Sequence, residues 1–227
     1  METITETTQA VTHQVVPKVS PKETAQRIIL PGISWATYES LLTDLVDSHA
    51  AHFAYDEGAL EIMAPSFAHE KTNRLLHDLV SEIAVGMNID FVNAGSTTFK
   101  RTDLKKGFEP DSCFYFQHEE RMRGKEAIDL TVDPPPDLVI EIDISNPSLN
   151  KFSIYAQIGV AEVWRYTGET VTIFQLAKEE YLLQTTSTVL PGLTSEVISR
   201  FLVDGQTTKR TEWIRRVREW ARRHTKG

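Results

Sequence analysis

The run Asp137-Leu138-Val139-Ile140-Glu141-Ile142-Asp143-Ile144 constrains this chain more than any other, because it is the most strand-like stretch present and has acids inside it. Side chains alternate across a strand, so Leu138, Ile140, Ile142 and Ile144 share one face and Val139, Glu141 and Asp143 the other. The apolar content places this strand centrally, where an unpaired carboxylate is costly without a cation or a hydrogen-bonding partner. A divalent metal is one such cation. Carboxylates, carbonyls and water suit Mg²⁺ and Mn²⁺, and the sequence offers acids but no dense His or Cys cluster. The same spacing also fits an edge strand whose acids face water. A further acid, Asp111, follows Pro110, which fixes the chain's entry, and opens a predicted strand from Ser112 to Phe116.

Around these strands the pattern alternates between helical and extended periods, which implies an α/β fold. Ser34 caps a predicted helix to about Ser48, with Trp35, Tyr38, Leu41, Leu42 and Leu45 at helical spacing. His52 to Tyr55 and Ala59 to Met63 flank Asp56-Glu57-Gly58 as a β-hairpin. Ser66 caps a helix to about Gly86, whose Leu75, Leu76, Leu79, Val80 and Ile83 form one apolar stripe. Strands are expected at Ile89 to Val92, Thr97 to Lys100, Ala161 to Tyr166, Thr170 to Gln175 and Tyr181 to Thr185. Helices are expected at Ser148 to Ile158, Thr194 to Phe201 and Thr211 to His224. The expected organisation is a tail over 1–26, one folded domain over 27–204 and a basic C-terminal helix over 205–227.

Composition narrows the classes. No run approaches the roughly 18 apolar residues of a membrane span, and the Thr-rich start lacks the basic front and apolar core of a secretory signal. The single cysteine, Cys113, forms no internal disulfide and fits a reducing cytoplasm, as it also fits unbridged secreted chains. The net charge of −8 argues against a chain coated in nucleic acid. The charge is unevenly spread, however. Residues 209–227 hold eight basic and two acidic residues, leaving 16 basic and 30 acidic elsewhere. On the last helix Trp213, Val217, Trp220 and His224 fall near one face, with Arg215, Arg216, Arg218, Arg222 and Arg223 largely on the others. Such a helix suits phosphates, a partner or plain solvent.

Pro110-Asp111 followed by Glu141 in an apolar strand resembles the Pro-Asp and Glu-x-Lys elements of PD-(D/E)XK nucleases. The run PPPDLVIEIDISNPSLNKFSIYAQIGVAEVWRY, with LEIMAPSFAHE, AGSTTFKR and GFEPDSCFYF upstream, is similar more closely to the Uma family of restriction-endonuclease-like proteins, over about Ile28 to Leu202. The resemblance implies a restriction-endonuclease-like core, a central mixed β-sheet flanked by helices. Where the superfamily has lysine two residues after its acid, this chain has Asp143. The resemblance moves the cation to Lys151, which shares a helical face with Tyr155. It also implies that Asp111, Glu141 and the carbonyl of Ile142 hold Mg²⁺ or Mn²⁺, and that Glu70 matches an extra acid of some related nucleases. His69 is either an accessory site residue or a capping or core histidine. Asp143 is left to a second ion or to pairing with Lys151. A zinc-protease reading of His69-Glu70-Lys71-Thr72-Asn73 fails because its last position is not histidine, and His49 and His52 belong to no ligand set.

The expected activity is metal-dependent hydrolysis of DNA. The alternatives are a catalytically inactive nuclease fold that binds DNA or protein, and a metal hydrolase acting on another phosphoester. A homodimer is expected, because nucleases that cut both strands often pair and because the last helix has two tryptophans to bury.

Overall fold

A computed structural model describes residues 25–45, 51–144 and 149–225. The expectations for residues 1–24, Ser48, His49 and Ser148 lie outside this range. The described residues form a mixed α/β fold of two sheets and six helices. The first sheet has the order β1 (Gln26–Leu30), β3 (Ala59–Ala64), β2 (His52–Asp56), β6 (Lys106–Phe108) and β5 (Phe99–Arg101), antiparallel throughout. The second has the order β11 (Glu180–Gln184), β10 (Val171–Ala177), β9 (Glu162–Tyr166), β8 (Leu138–Ile142), β7 (Ser112–Tyr115) and β4 (Val92–Gly95). Only its β8–β9 pair is parallel, so this sheet is mixed.

β8 is central and buried along its whole length, and the alternation of its side chains decides the layering. Leu138, Ile140 and Ile142 join a core with the apolar stripe of α2 (Phe67–Met87), α5 (Ser195–Thr207) and α6 (Arg210–His224). Val139 faces the other way, into a core with Phe99 and Phe108 of the first sheet and with Ile154 and Tyr155 of α4 (Lys151–Ile158). Glu141 shares that second face, so its carboxylate lies between sheet and helix and not in water. A third cluster packs α1 (Trp35–Asp44) on the β2–β3 hairpin.

Local signals account for the element ends. Ser34 and Ser66 accept hydrogen bonds from the backbone N–H groups of Thr37 and His69, capping α1 and α2. The hairpin turn uses positive φ at both Glu57 and Gly58, as a tight two-residue connection requires. β4 begins later than the sequence pattern predicts, because the N–H of Ile89 still closes the end of α2 onto the carbonyl of Ala84, and β5 begins later because Thr97 is still in a turn, its N–H bonded to the carbonyl of Ala94. Three short elements carried too little periodicity to be expected: β1, β6 and α3 (Glu119–Met122).

The C-terminal helix is part of the core. Gly205 falls inside α5, and Trp213, Val217 and Ala221 of α6 are fully buried against α2. Gly86 permits the approach: a Cβ there would stand 2.5 Å from the Cβ of Ala221. Trp213 donates to the carbonyl of Phe201, and Trp220 packs on the same core while stacking on His224. The two tryptophans are thus satisfied within one chain, which removes that reason for expecting a dimer. Arg210, Arg216, Arg218 and Arg223 pair with Asp78, Glu212, Glu82 and Glu219, so much of the helix's positive charge is met by the chain's own acids. Among the described residues no helix is long and apolar enough to cross a membrane.

Candidate active site

The site forms where β3 and α4 pack on the face of the second sheet that carries Glu141, and where the first turns of α2 reach Asp111 from the other side. The antiparallel register pairs Ser112 with Ile140, and one step further sets Asp111 opposite Glu141 on the same face. Asp111 is held from several directions. Its Oδ2 accepts the N–H of Ile142 at 2.6 Å, and its own carbonyl accepts from Asn73 Nδ2 at 2.8 Å. Asn73 in turn accepts the hydroxyl of Ser112, so α2 clamps the start of β7. Pro110 and the cap at Ser66 supply the local reasons that strand and helix start where they do.

Two histidines flank Asp111. His69 Nε2 lies 3.2 Å from Oδ2 and His52 Nδ1 lies 3.5 Å from Oδ1. Neither ring is angled to make a hydrogen bond, and Asp111 Oδ1 is buried with no hydrogen-bond partner. Burial opposes a charged Asp111, yet His69, helped by Lys151 and His52, holds its carboxyl below the usual range. Burial likewise opposes a charged His69, and Asp111 with Glu141 and Glu70 overrides it, raising the imidazole.

Glu141 is bound on both oxygens. Lys151 Nζ donates to Oε2 at 2.8 Å and the Tyr155 hydroxyl donates to Oε1 at 2.5 Å. Lys151 and Tyr155 are one helical turn apart on α4, which Gly159, at φ +94°, ends in a left-handed cap. Lys151 also lies 3.7 Å from Oε1 of Glu61, a buried acid on β3 that accepts the N–H of Leu149. Burial weakens Lys151 as a cation, but Glu141, Asp111 and Glu61 prevail and raise it. Glu141 is left above the ordinary carboxyl value: burial and the nearby Asp111 outweigh the lysine.

Of the residues predicted from sequence, Asp111, Glu141, Lys151, Tyr155 and His69 are brought together. Glu70 stands at the rim of an open cavity of about 800 Å³ that it shares with His52, Asn73, Arg74, Asp111 and Ser112. Its carboxylate lies 3.8 Å from Arg74. Asp143 pairs with Arg27 at 3.3 Å and not with Lys151, and the Ile142 carbonyl lies 3.4 Å from Arg27 Nη2. Glu61, Asn73, His52 and Arg27 were not predicted. Glu61 had a readable signal, an acid inside Leu60-Glu61-Ile62-Met63, the same anomaly that singled out Glu141.

The donor chemistry fits a hydrated divalent cation. Asp111, Glu141 and Glu61 are buried, and Lys151 is the one lysine or arginine that pairs with any of them among the described residues. Asp111 Oδ1 is a buried acceptor with nothing to accept. Among the described residues no three histidine, cysteine or acidic side chains converge to hold an ion by themselves. A cation here would therefore keep water in its shell, as Mg²⁺ does when one or two carboxylates bind it.

The sequence profile of the Uma2 family, described as "Putative restriction endonuclease", matches residues 35–205. Among solved structures the fold is similar to a crystal structure described as "a putative nuclease belonging to DUF820" from Anabaena variabilis. The two are 16% identical with a TM-score of 0.47, and the match covers 66% of this chain and 90% of the other. No curated protein matches the chain.

Proposed function

We propose that this chain, which belongs to the Uma2 family, is an endonuclease that hydrolyses DNA phosphodiester bonds at the Asp111–Glu141–Lys151 cluster. The observation that carries this reading is the burial of Asp111 and Glu141 on one face of the central sheet, with Lys151 beside them and a buried oxygen of Asp111 unpartnered. Asp111, Glu141 and the carbonyl of Ile142 would hold Mg²⁺ or Mn²⁺. When bound, such an ion lowers the pKa of a water and polarises the phosphate. Lys151 orients the attacking water and offsets negative charge growing on the phosphate. Tyr155 fixes the Glu141 carboxylate, the Ile142 N–H and Asn73 fix Asp111, and His69 and His52 flank it. Glu70 lines the open cavity beside Asp111, where it would lie close to a bound substrate. A DNA substrate goes with a place in the cytoplasm, and a homodimer, as is common among nucleases that cut both strands, would supply two such clusters.

The test is cleavage of duplex, single-stranded and branched DNA with Mg²⁺ or Mn²⁺. Cutting that Glu141→Ala abolishes supports the reading, and no cutting of any of these substrates overturns it. Light scattering that shows a monomer at micromolar concentration overturns the paired arrangement alone. One observation favours a second reading, a nuclease fold that binds without cutting: both oxygens of Glu141 are already taken, by Lys151 and Tyr155. That reading expects DNA or protein binding that neither metal nor Lys151→Ala alters.

A further inference from the structure

On the flank of Glu141 away from Asp111 lies a second, smaller cavity of about 240 Å³, lined by Arg27, Glu141, Asp143, Lys151, Tyr155 and Arg165 among others. The parallel register sets Arg165 of β9 directly beside Glu141 of β8. One line across the sheet therefore reads Asp111, Glu141, Arg165, all on the face that α4 covers. The Arg165 guanidinium lies 5.2 Å from the ring centre of Phe152 and 5.1 Å from that of Phe174. These contacts fix its plane without using its N–H groups. Among the described residues it makes no hydrogen bond or ion pair, and its Nε is buried and unpartnered. Arg27 reaches the same cavity from β1 with its side chain 4% exposed. Its Nη1 and Nη2 make long contacts of 3.3 and 3.4 Å to Asp143 and the Ile142 carbonyl, and its Nε too is buried without a partner.

A buried N–H left empty, as the Nε of each of these arginines is, is rare in folded proteins and points to an acceptor that arrives from outside. The acids lining the cavity do not serve: Lys151 and Tyr155 occupy Glu141, and Asp143 meets only Nη1 of Arg27. A guanidinium presents a planar fork of donors that matches the oxygens of a phosphate. We propose that this cavity is an anion subsite that takes a phosphate group between Arg27 and Arg165, next to Lys151. The cluster then has two unlike flanks: a cation-seeking carboxylate at Asp111 and an anion-seeking pair of arginines beyond Glu141. Identifying the phosphate as part of a nucleic acid rests on the nuclease reading; the subsite itself does not.

The test titrates the metal-free protein, in EDTA, with inorganic phosphate and separately with the dinucleotide d(TpT). The arginine Nε–H signals are followed by NMR. Phosphate is expected to shift the signals of Arg27 and Arg165, and Arg165→Gln to weaken its binding by about tenfold or more. Arg165→Lys, which keeps the charge without the fork, should recover only part of the loss. Asp111→Asn should still bind phosphate, so failure of the nuclease reading would leave this signature intact. A shift with phosphate but none with d(TpT) supports the subsite and assigns it to a small phosphate compound. Unmoved signals with both ligands overturn the proposal even if Arg165→Gln fails to fold, because that measurement uses the unaltered chain. Wild-type phosphate affinity in a folded Arg165→Gln variant overturns it as well.

Discussion

Replacing Lys151 with methionine tests the electrostatics of the site most directly. The ammonium lies 2.8 Å from Glu141 and 3.7 Å from Glu61, and the three side chains are 8%, 9% and 1% exposed, so solvent screens little. Removing one partner of a buried ion pair typically costs about 3–5 kcal/mol, because the other charge stays buried and uncompensated. Here two carboxylates lose the ammonium, while Tyr155 still donates to one of them, and a loss near the middle of that range is expected at about pH 7.5. The loss should shrink on acidification. The Glu141 carboxyl already sits above its ordinary value through burial. Without the lysine it rises further, so the folded variant binds a proton that the unfolded chain has released, and its stability improves as pH falls. Urea unfolding in EDTA at about pH 7.5 and about pH 5.5 measures both quantities. Mg²⁺ or Mn²⁺ should also stabilise the variant more than the wild type, by restoring positive charge. A deficit under about 1 kcal/mol, the size for exposed pairs, or one independent of pH would refute the placement of Lys151 among buried acids.

Three further outcomes are expected. His69 is raised above its ordinary value, burial being overridden by Asp111. Its contribution to stability is thus full below about pH 6.5 and lost as pH climbs through the folded-state value; unfolding free energies in EDTA should show this decline in the wild type and not in His69→Gln. Gly86→Ala should destabilise by about 1–3 kcal/mol through the clash with Ala221, although alanine in a helix interior ordinarily gains about 1 kcal/mol over glycine. A raised melting temperature would show that α2 and α6 are not in close contact. Glu61→Gln should leave the fold intact while weakening Mn²⁺ binding, measured by calorimetry, because it lowers the negative charge around Lys151; unchanged affinity would place Glu61 outside the site's electrostatics.

Much of this arrangement is written locally in the chain. The serine caps, the apolar stripe of α2, the Glu57-Gly58 turn and the alternation in Leu138–Ile142 are short-range signals, and each element forms where its signal lies. Acids in strand contexts marked Asp111 and Glu141, whereas Lys151 and Tyr155 came into view only through the resemblance to the Uma family. Sequence alone did not decide which neighbours those groups would meet, because strand pairing and helix docking are long-range events. Antiparallel and parallel pairing in one sheet put Asp111 and Arg165 on either side of Glu141. The first sheet brought Glu61, His52 and Arg27 to the cluster from distant segments, and Arg27 took the Asp143 that spacing had left open to Lys151. The last helix shows the same division. Its composition made it amphipathic and basic, but only the close packing permitted at Gly86 determined that its tryptophan face would be buried within its own chain.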